Sequence, residues 1–181
     1  LGLSYPGGPA VERAANDGRP GEFSLPRPLK GRAGCDFSFS GLKAAVRTAI
    51  EKLPAGTLEQ TDIADICVEF QSAVTDVVSD RVSNAISEFR SCHPNGDTMV
   101  VAGGVAANIA IRSTLSGIAD SQNMRFVAPP HKLCTDNAAM IAWAGVERFK
   151  LGLTDQLDFA PRPRWPLDPK AAAAPFAGGK A

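Results

Sequence analysis

The 181-residue chain is short of the residues from which most self-contained active sites are made. It has two histidines, four cysteines, one tyrosine and two tryptophans. His93 lies in the turn-like "SCHPNGD" and His131 in "PPHKLCTD", so no H-x-x-x-H pair is present to grip a metal. Both histidines are assigned structural roles. Cys35, Cys67, Cys92 and Cys134 are far apart and form no C-x-x-C pair, which excludes a zinc knuckle or a dithiol redox motif and reads as reduced thiols. Cys134 beside Thr135 has no histidine placed as in cysteine enzymes and is expected to be a small buried side chain. Charge of one sign is also missing. Nineteen basic residues balance nineteen acidic ones, so the overall field draws in neither nucleic acid nor membrane. The longest charge-free apolar run, Thr98 to Ile111, is too short to span a bilayer and is broken by a glycine pair.

What is present is an ordinary globular balance, 44% hydrophobic and 21% charged, in a chain long enough to bury a core. Proline and glycine predict a short helix over Pro9–Asp17 and a loop over Gly18–Gly34. "CDFSFSGLKAAVRTAI" alternates aromatic and small residues from Asp36 to Ser40, then takes helical spacing through Leu42, Val46 and Ile50, so a short strand feeding a helix is expected. Apolar positions from Ile63 to Phe89 fall three and four apart and predict one long amphipathic helix over Thr61–Arg90, ended by Pro94 and Gly96. "TMVVAGG" and "MRFVAPP" read as strands, each followed by a helix, the second over Asp136–Lys150. That order implies a parallel crossover in an α/β layer. Pro161–Ala181 is expected to be extended or loose. The chain opens at Leu1 without methionine and is expected to be a fragment.

Three stretches carry chemistry. "VVAGGVAAN" places Gly103 and Gly104 where a buried strand becomes a helix, at the sheet edge where ligands settle in open α/β layers. Asn108 follows with a donor and an acceptor. A tight turn with a capping asparagine explains the same residues. The stretch is neither a Walker loop nor a G-x-G-x-x-G fingerprint. "YPGGPAVERA" sets Gly8 in a second glycine pair and Glu12 one turn beyond, a carboxylate suited to ribose hydroxyls or to plain solvent exposure. Asp136, in "LCTDNAAMIAWAG", is expected to cap its helix, with Thr135 and Asn137 as alternative caps.

Taken in order, "YPGGPAVE", "FSLPRPL", "DFSFSGLKAAV", "AGGVAAN", "PPHKLCTDNAAMIAWAG" and "RPRWPL" resemble the tRNA adenosine threonylcarbamoyltransferases, once described as O-sialoglycoprotein endopeptidases. The resemblance runs from Leu1 to about Leu167. It implies an actin-like ATPase fold, of which residues 1–167 would be the second lobe with part of the interlobe segment, and residues 168–181 a flexible tail. Ala44 and Ala106 stand where threonine and serine are common.

The resemblance further implies transfer of a threonylcarbamoyl group from threonylcarbamoyl-adenylate to tRNA. Gly8 and Asn108 would contact the adenine nucleotide and Glu12 its ribose, and the Gly103–Gly104 turn, on the reading of its own residues, would receive the same nucleotide. Asp136 would be one ligand of a divalent iron or zinc whose two histidines lie outside the chain. The implied partners are tRNA, a paralogous actin-like subunit and an ATPase, in the cytoplasm and with no membrane. The fragment alone would be inactive. Two other readings stay open: a metal-dependent glycoprotein endopeptidase, and a non-catalytic interaction lobe that uses the long helix as a contact surface.

Overall fold

A computed structural model describes residues 1–54, 56 and 58–160. The expectations for "RPRWPL" and for the tail lie outside the described residues. The chain divides into two compact units, Leu1–Asn137 and the part from Ala138 onward. In the first unit, helices α1 (Gly7–Ala15), α2 (Ser40–Glu51) and α3 (Gln60–Cys92) precede strand β1 (Thr98–Val100). A 3-10 turn (Gly104–Ala107), helix α4 (Ile109–Ser121), strand β2 (Arg125–Val127) and a second 3-10 turn (His131–Leu133) follow. The second unit holds helix α5 (Ala138–Lys150).

Helix α3 is the spine of the first unit. Its 33 residues extend for about 50 Å at 1.5 Å per residue, and three apolar clusters are strung along it. Ile63 and Cys67 pack with Ala15 of α1. Ala73 packs with Leu42 of α2 and with Leu25. Ile86 packs with Ala119 of α4 and with Met124, beside Met99 and Phe126 of the strands. The helical spacing read from the sequence is therefore the spacing of these contacts, and α3 is covered largely within its own unit.

The strands pair in parallel, Met99 opposite Phe126, with α4 as the crossover between them. This is the expected α/β order with a small parallel sheet. The expected strand over Asp36–Ser40 does not form. Strand backbone needs a ladder partner, and among the described residues β1 and β2 pair only with each other. Phe37 is instead half exposed, its ring centroid 6.2 Å from that of Phe39, and Phe39 packs on the Leu42 cluster.

The segment from Gly18 to Cys35 is irregular, as expected, but it is not loose. It lies along α3 as a strap fastened by charged and polar rungs. The buried Asp65 carboxylate accepts from the Arg19 amide at 2.6 Å and pairs with its guanidinium at 2.5 Å. Arg27 pairs with Glu69 at 2.7 Å and with Asp76 at 2.9 Å. Asp80 accepts from the Gly31 amide. Arg81, with 1% of its surface exposed, donates to the carbonyls of Gly34 at 2.9 Å and Arg32 at 2.5 Å. At the end of the strap the Cys35 thiol donates to Glu88 at 3.3 Å; desolvation first, then that carboxylate, raises its pKa. Strap and helix run in the same direction, so each successive strap residue finds a partner farther along α3.

These rungs predict acid sensitivity. Hydrogen bonds from Arg19 hold Asp65 below the usual carboxylate range, and Arg81 does the same to Asp80. Burial alone would raise Asp76, but Arg27 and Lys30 outweigh it and leave that group lowered as well. A carboxylate with a lowered folded pKa contributes stability that is complete above its unfolded value, about 3.9, and is lost as pH falls through the folded values. Thermal unfolding should therefore lose midpoint below about pH 4, with these carboxylates adding no slope above about pH 5. Asp65→Asn should flatten the acid limb, and an acid limb unchanged in that variant would contradict the assignment.

Candidate functional site

The crossover places a glycine turn and a helix start just beyond the carboxyl end of β1. Gly103 has φ 87° and ψ 176°, a backbone state that residues with a Cβ rarely adopt. A Cβ at Gly103 or Gly104 would meet no atom within 4 Å, so the outer face of the turn is open. Ala106, buried, anchors the inner face.

The first turn of α4 is satisfied from two directions. Asn108 is its N-cap, the side-chain oxygen accepting from the Ile111 amide at 2.9 Å. Its amide nitrogen donates to Gln71 Oε1 on α3 at 3.0 Å, which fixes the orientation of the cap. The Ile109 amide donates to Glu12 Oε1 at 2.6 Å, although Glu12 is 97 positions away on α1. A carboxylate at the positive end of a helix dipole is well placed electrostatically. Its second oxygen has no hydrogen-bond partner among the described residues. Gly8 lies four positions before Glu12 and so on the same face of α1, exposed and with open space at its Cβ position. The structure thus brings Glu12 and Asn108 to one helix end, with the Gly103–Gly104 turn directly before it.

The segment carrying Asp136 is fastened to the same turn. His131 Nε2 is 2.9 Å from the Ala107 carbonyl. Arg112 Nε donates to the Ala106 carbonyl at 3.0 Å, and its Nη2 donates to Pro129 O at 2.9 Å and to Cys134 Sγ at 3.6 Å. Cys134 is buried, as expected. Asn137 Nδ2 donates to the carbonyls of Thr135 at 2.9 Å and Leu133 at 3.3 Å. Helix α5 starts at Ala138, two residues later than the expected Asp136, so Asn137 and not Asp136 occupies the flanking position. Asn caps as well as Asp does, which is why composition did not separate them.

Two comparisons with known proteins bear on this geometry. The family model described as tRNA N6-adenosine threonylcarbamoyltransferase matches residues 1–143. The chain belongs to that family. A tRNA N6-adenosine threonylcarbamoyltransferase of Rhodospirillum rubrum is 62% identical over 179 residues, covering 99% of this chain and 49% of the relative. Those of Paramagnetospirillum magneticum and Brucella anthropi are 59% and 58% identical, over 94% and 95% of this chain. The chain spans about half the length of these relatives.

For a chain of this family, the donor set limits what a metal could find here. Asp136 is exposed and has no hydrogen bond or ion pair among the described residues, so its oxygens are available. No group of three histidine, cysteine or acidic side chains is close enough to hold an ion among the described residues. His131 is engaged with Ala107, and His93 lies against the Phe89 ring at 5.0 Å. The described residues fit one ligand position and no more. Sequence reasoning missed Gln71 and Arg112, which orient this site. The i, i+4 spacing of Asn108 and Arg112 on one helix face was the available signal for the second; nothing local marked Gln71.

Proposed function

We propose that this chain forms the second lobe of an actin-like ATPase fold in an enzyme that modifies tRNA. The threonylcarbamoyl group of threonylcarbamoyl-adenylate passes to the exocyclic amine of the adenosine following the anticodon, in tRNAs that read codons beginning with A. The amine nitrogen bonds to the carbamoyl carbon, the bond from that carbon to the phosphate oxygen breaks, the amine loses a proton, and AMP departs. The observation that carries this reading is the meeting of Glu12 with the Ile109 amide, beside Asn108 and the open Gly103–Gly104 turn, in a chain of this family.

The residues of the chain bind and orient. With Oε1 pinned by Ile109, Glu12 presents Oε2 to a ribose hydroxyl. Asn108 keeps one N–H and one lone pair after serving Gln71 and Ile111, enough to receive a polar edge of the nucleotide. Gly8, Gly103 and Gly104 let the ligand approach backbone directly. A divalent iron or zinc, when bound, would polarise a carbamoyl or phosphate oxygen, and Asp136 would be the one ligand from this chain. With no net charge here, most of the positive surface for tRNA comes from elsewhere. A paralogous actin-like subunit and an ATPase, in the cytoplasm, complete the assembly. Among the described residues no helix is long and apolar enough to cross a membrane.

The test uses the full protein containing this chain, given unmodified tRNA with threonylcarbamoyl-adenylate and, separately, a glycoprotein. Transfer to tRNA is expected. Glu12→Ala and Asn108→Ala should each raise the KM for the adenylate roughly tenfold, the loss of one good hydrogen bond. Asp136→Asn should melt with the parent yet lose metal and transfer. Cleavage of the glycoprotein without tRNA modification would overturn the reading in favour of the endopeptidase.

A further inference from the structure

Arg112 donates three hydrogen bonds here, none of them to a carboxylate. Its partners are two backbone carbonyls and a thiol, drawn from two different segments. Ala106 O belongs to the 3-10 turn that follows Gly103. Pro129 O and Cys134 Sγ bracket the second 3-10 turn, His131–Leu133. A long helical side chain leans toward the N-terminus of its helix, which lets Arg112, one turn into α4, reach back over the helix start to both. The forked, planar guanidinium can meet two acceptors at fixed angles; a lysine ammonium at the end of a flexible stem cannot reproduce that bridge. His131 joins the same two segments through Ala107 O.

We propose that Arg112 is a positioning residue that locks the Pro129–Asp136 segment against the glycine turn, so that nucleotide-binding backbone and the Asp136 carboxylate are held as one rigid piece. This rests on the functional reading above. It adds that the site is assembled through the backbone carbonyls of Ala106 and Pro129, and that Arg112 itself touches no substrate.

The test compares the full protein with its Arg112→Lys and His131→Ala variants by amide hydrogen exchange and by steady-state kinetics. Arg112→Lys should speed exchange of residues 131–136 about tenfold or more, the loss of a charge-assisted bridge, while amides in the middle of α3 keep their rates. The KM for the adenylate should rise more than kcat falls, and His131→Ala should show the same pattern more weakly. Unchanged exchange at 131–136 in Arg112→Lys, or equal acceleration throughout the protein, would overturn the positioning role. That result is distinguishable from failure of the functional reading, in which the parent protein itself would neither bind adenylate nor modify tRNA while the exchange differences persisted.

Discussion

Gly18→Ala is expected to destabilise the chain by about 3 kcal/mol, the upper part of the overpacking range, and to lower its melting midpoint by roughly 6–12 °C. A Cβ at Gly18 would stand 2.2 Å from the Ala64 carbonyl oxygen, 2.7 Å from its carbon and 2.8 Å from Val68 Cγ1. The first two are backbone atoms in the body of α3 and cannot swing aside. The chain would have to lift off α3 where α1 ends and the strap begins, and that would also pull the Arg19 amide from Asp65. Gly41→Ala, in α2 with open space at its Cβ position, should be neutral or stabilising by up to about 1 kcal/mol. Equal midpoints for the two variants would mean that the contact between the strap start and α3 is not closed in solution.

Arg81→Met should cost a similar amount, about 3 kcal/mol or more. Methionine fills much of the same volume but leaves the Arg32 and Gly34 carbonyls and the Asp80 carboxylate short of a buried donor. Asn84 donates to the same two carbonyls, at 3.1 and 2.9 Å, so it partly covers the loss. The double variant Arg81→Met, Asn84→Ala should therefore lose more than the sum of the single changes. Denaturant unfolding of the four proteins measures this coupling. Strict additivity would mean that the two side chains do not share acceptors.

The parts of this molecule legible in its sequence are those set by local spacing. Ile63, Ile66, Ala73, Val77 and Ile86 repeat at the helical period, and all five are buried along α3. The glycine pair at Gly103–Gly104 announced a strand-to-helix turn, and the turn is there. What spacing could not show are pairings between distant segments. Asp65 and Glu69 look like solvent-facing acids on a helix, and only the path of the strap reveals Arg19 and Arg27 against them. Glu12 and Ile109 are joined across 97 positions by one hydrogen bond that no local pattern encodes. The alternation at Asp36–Ser40 misled because a period of two shows which side chains can face inward, and it cannot supply the neighbouring strand that makes a ladder. The start of α5 falls later than expected because Thr135, Asp136 and Asn137 are all good caps, and cap chemistry alone does not choose among them.

The most direct test of the central claim is amide hydrogen exchange of the full protein with and without a non-transferable analogue of threonylcarbamoyl-adenylate. Slowed exchange is expected over Gly7–Glu12 and Gly103–Ile109 together, two stretches brought to one place by the Glu12 to Ile109 bond, and Glu12→Ala should weaken it at both. Saturated binding that leaves these two stretches unchanged, or that protects only one of them, would contradict the account.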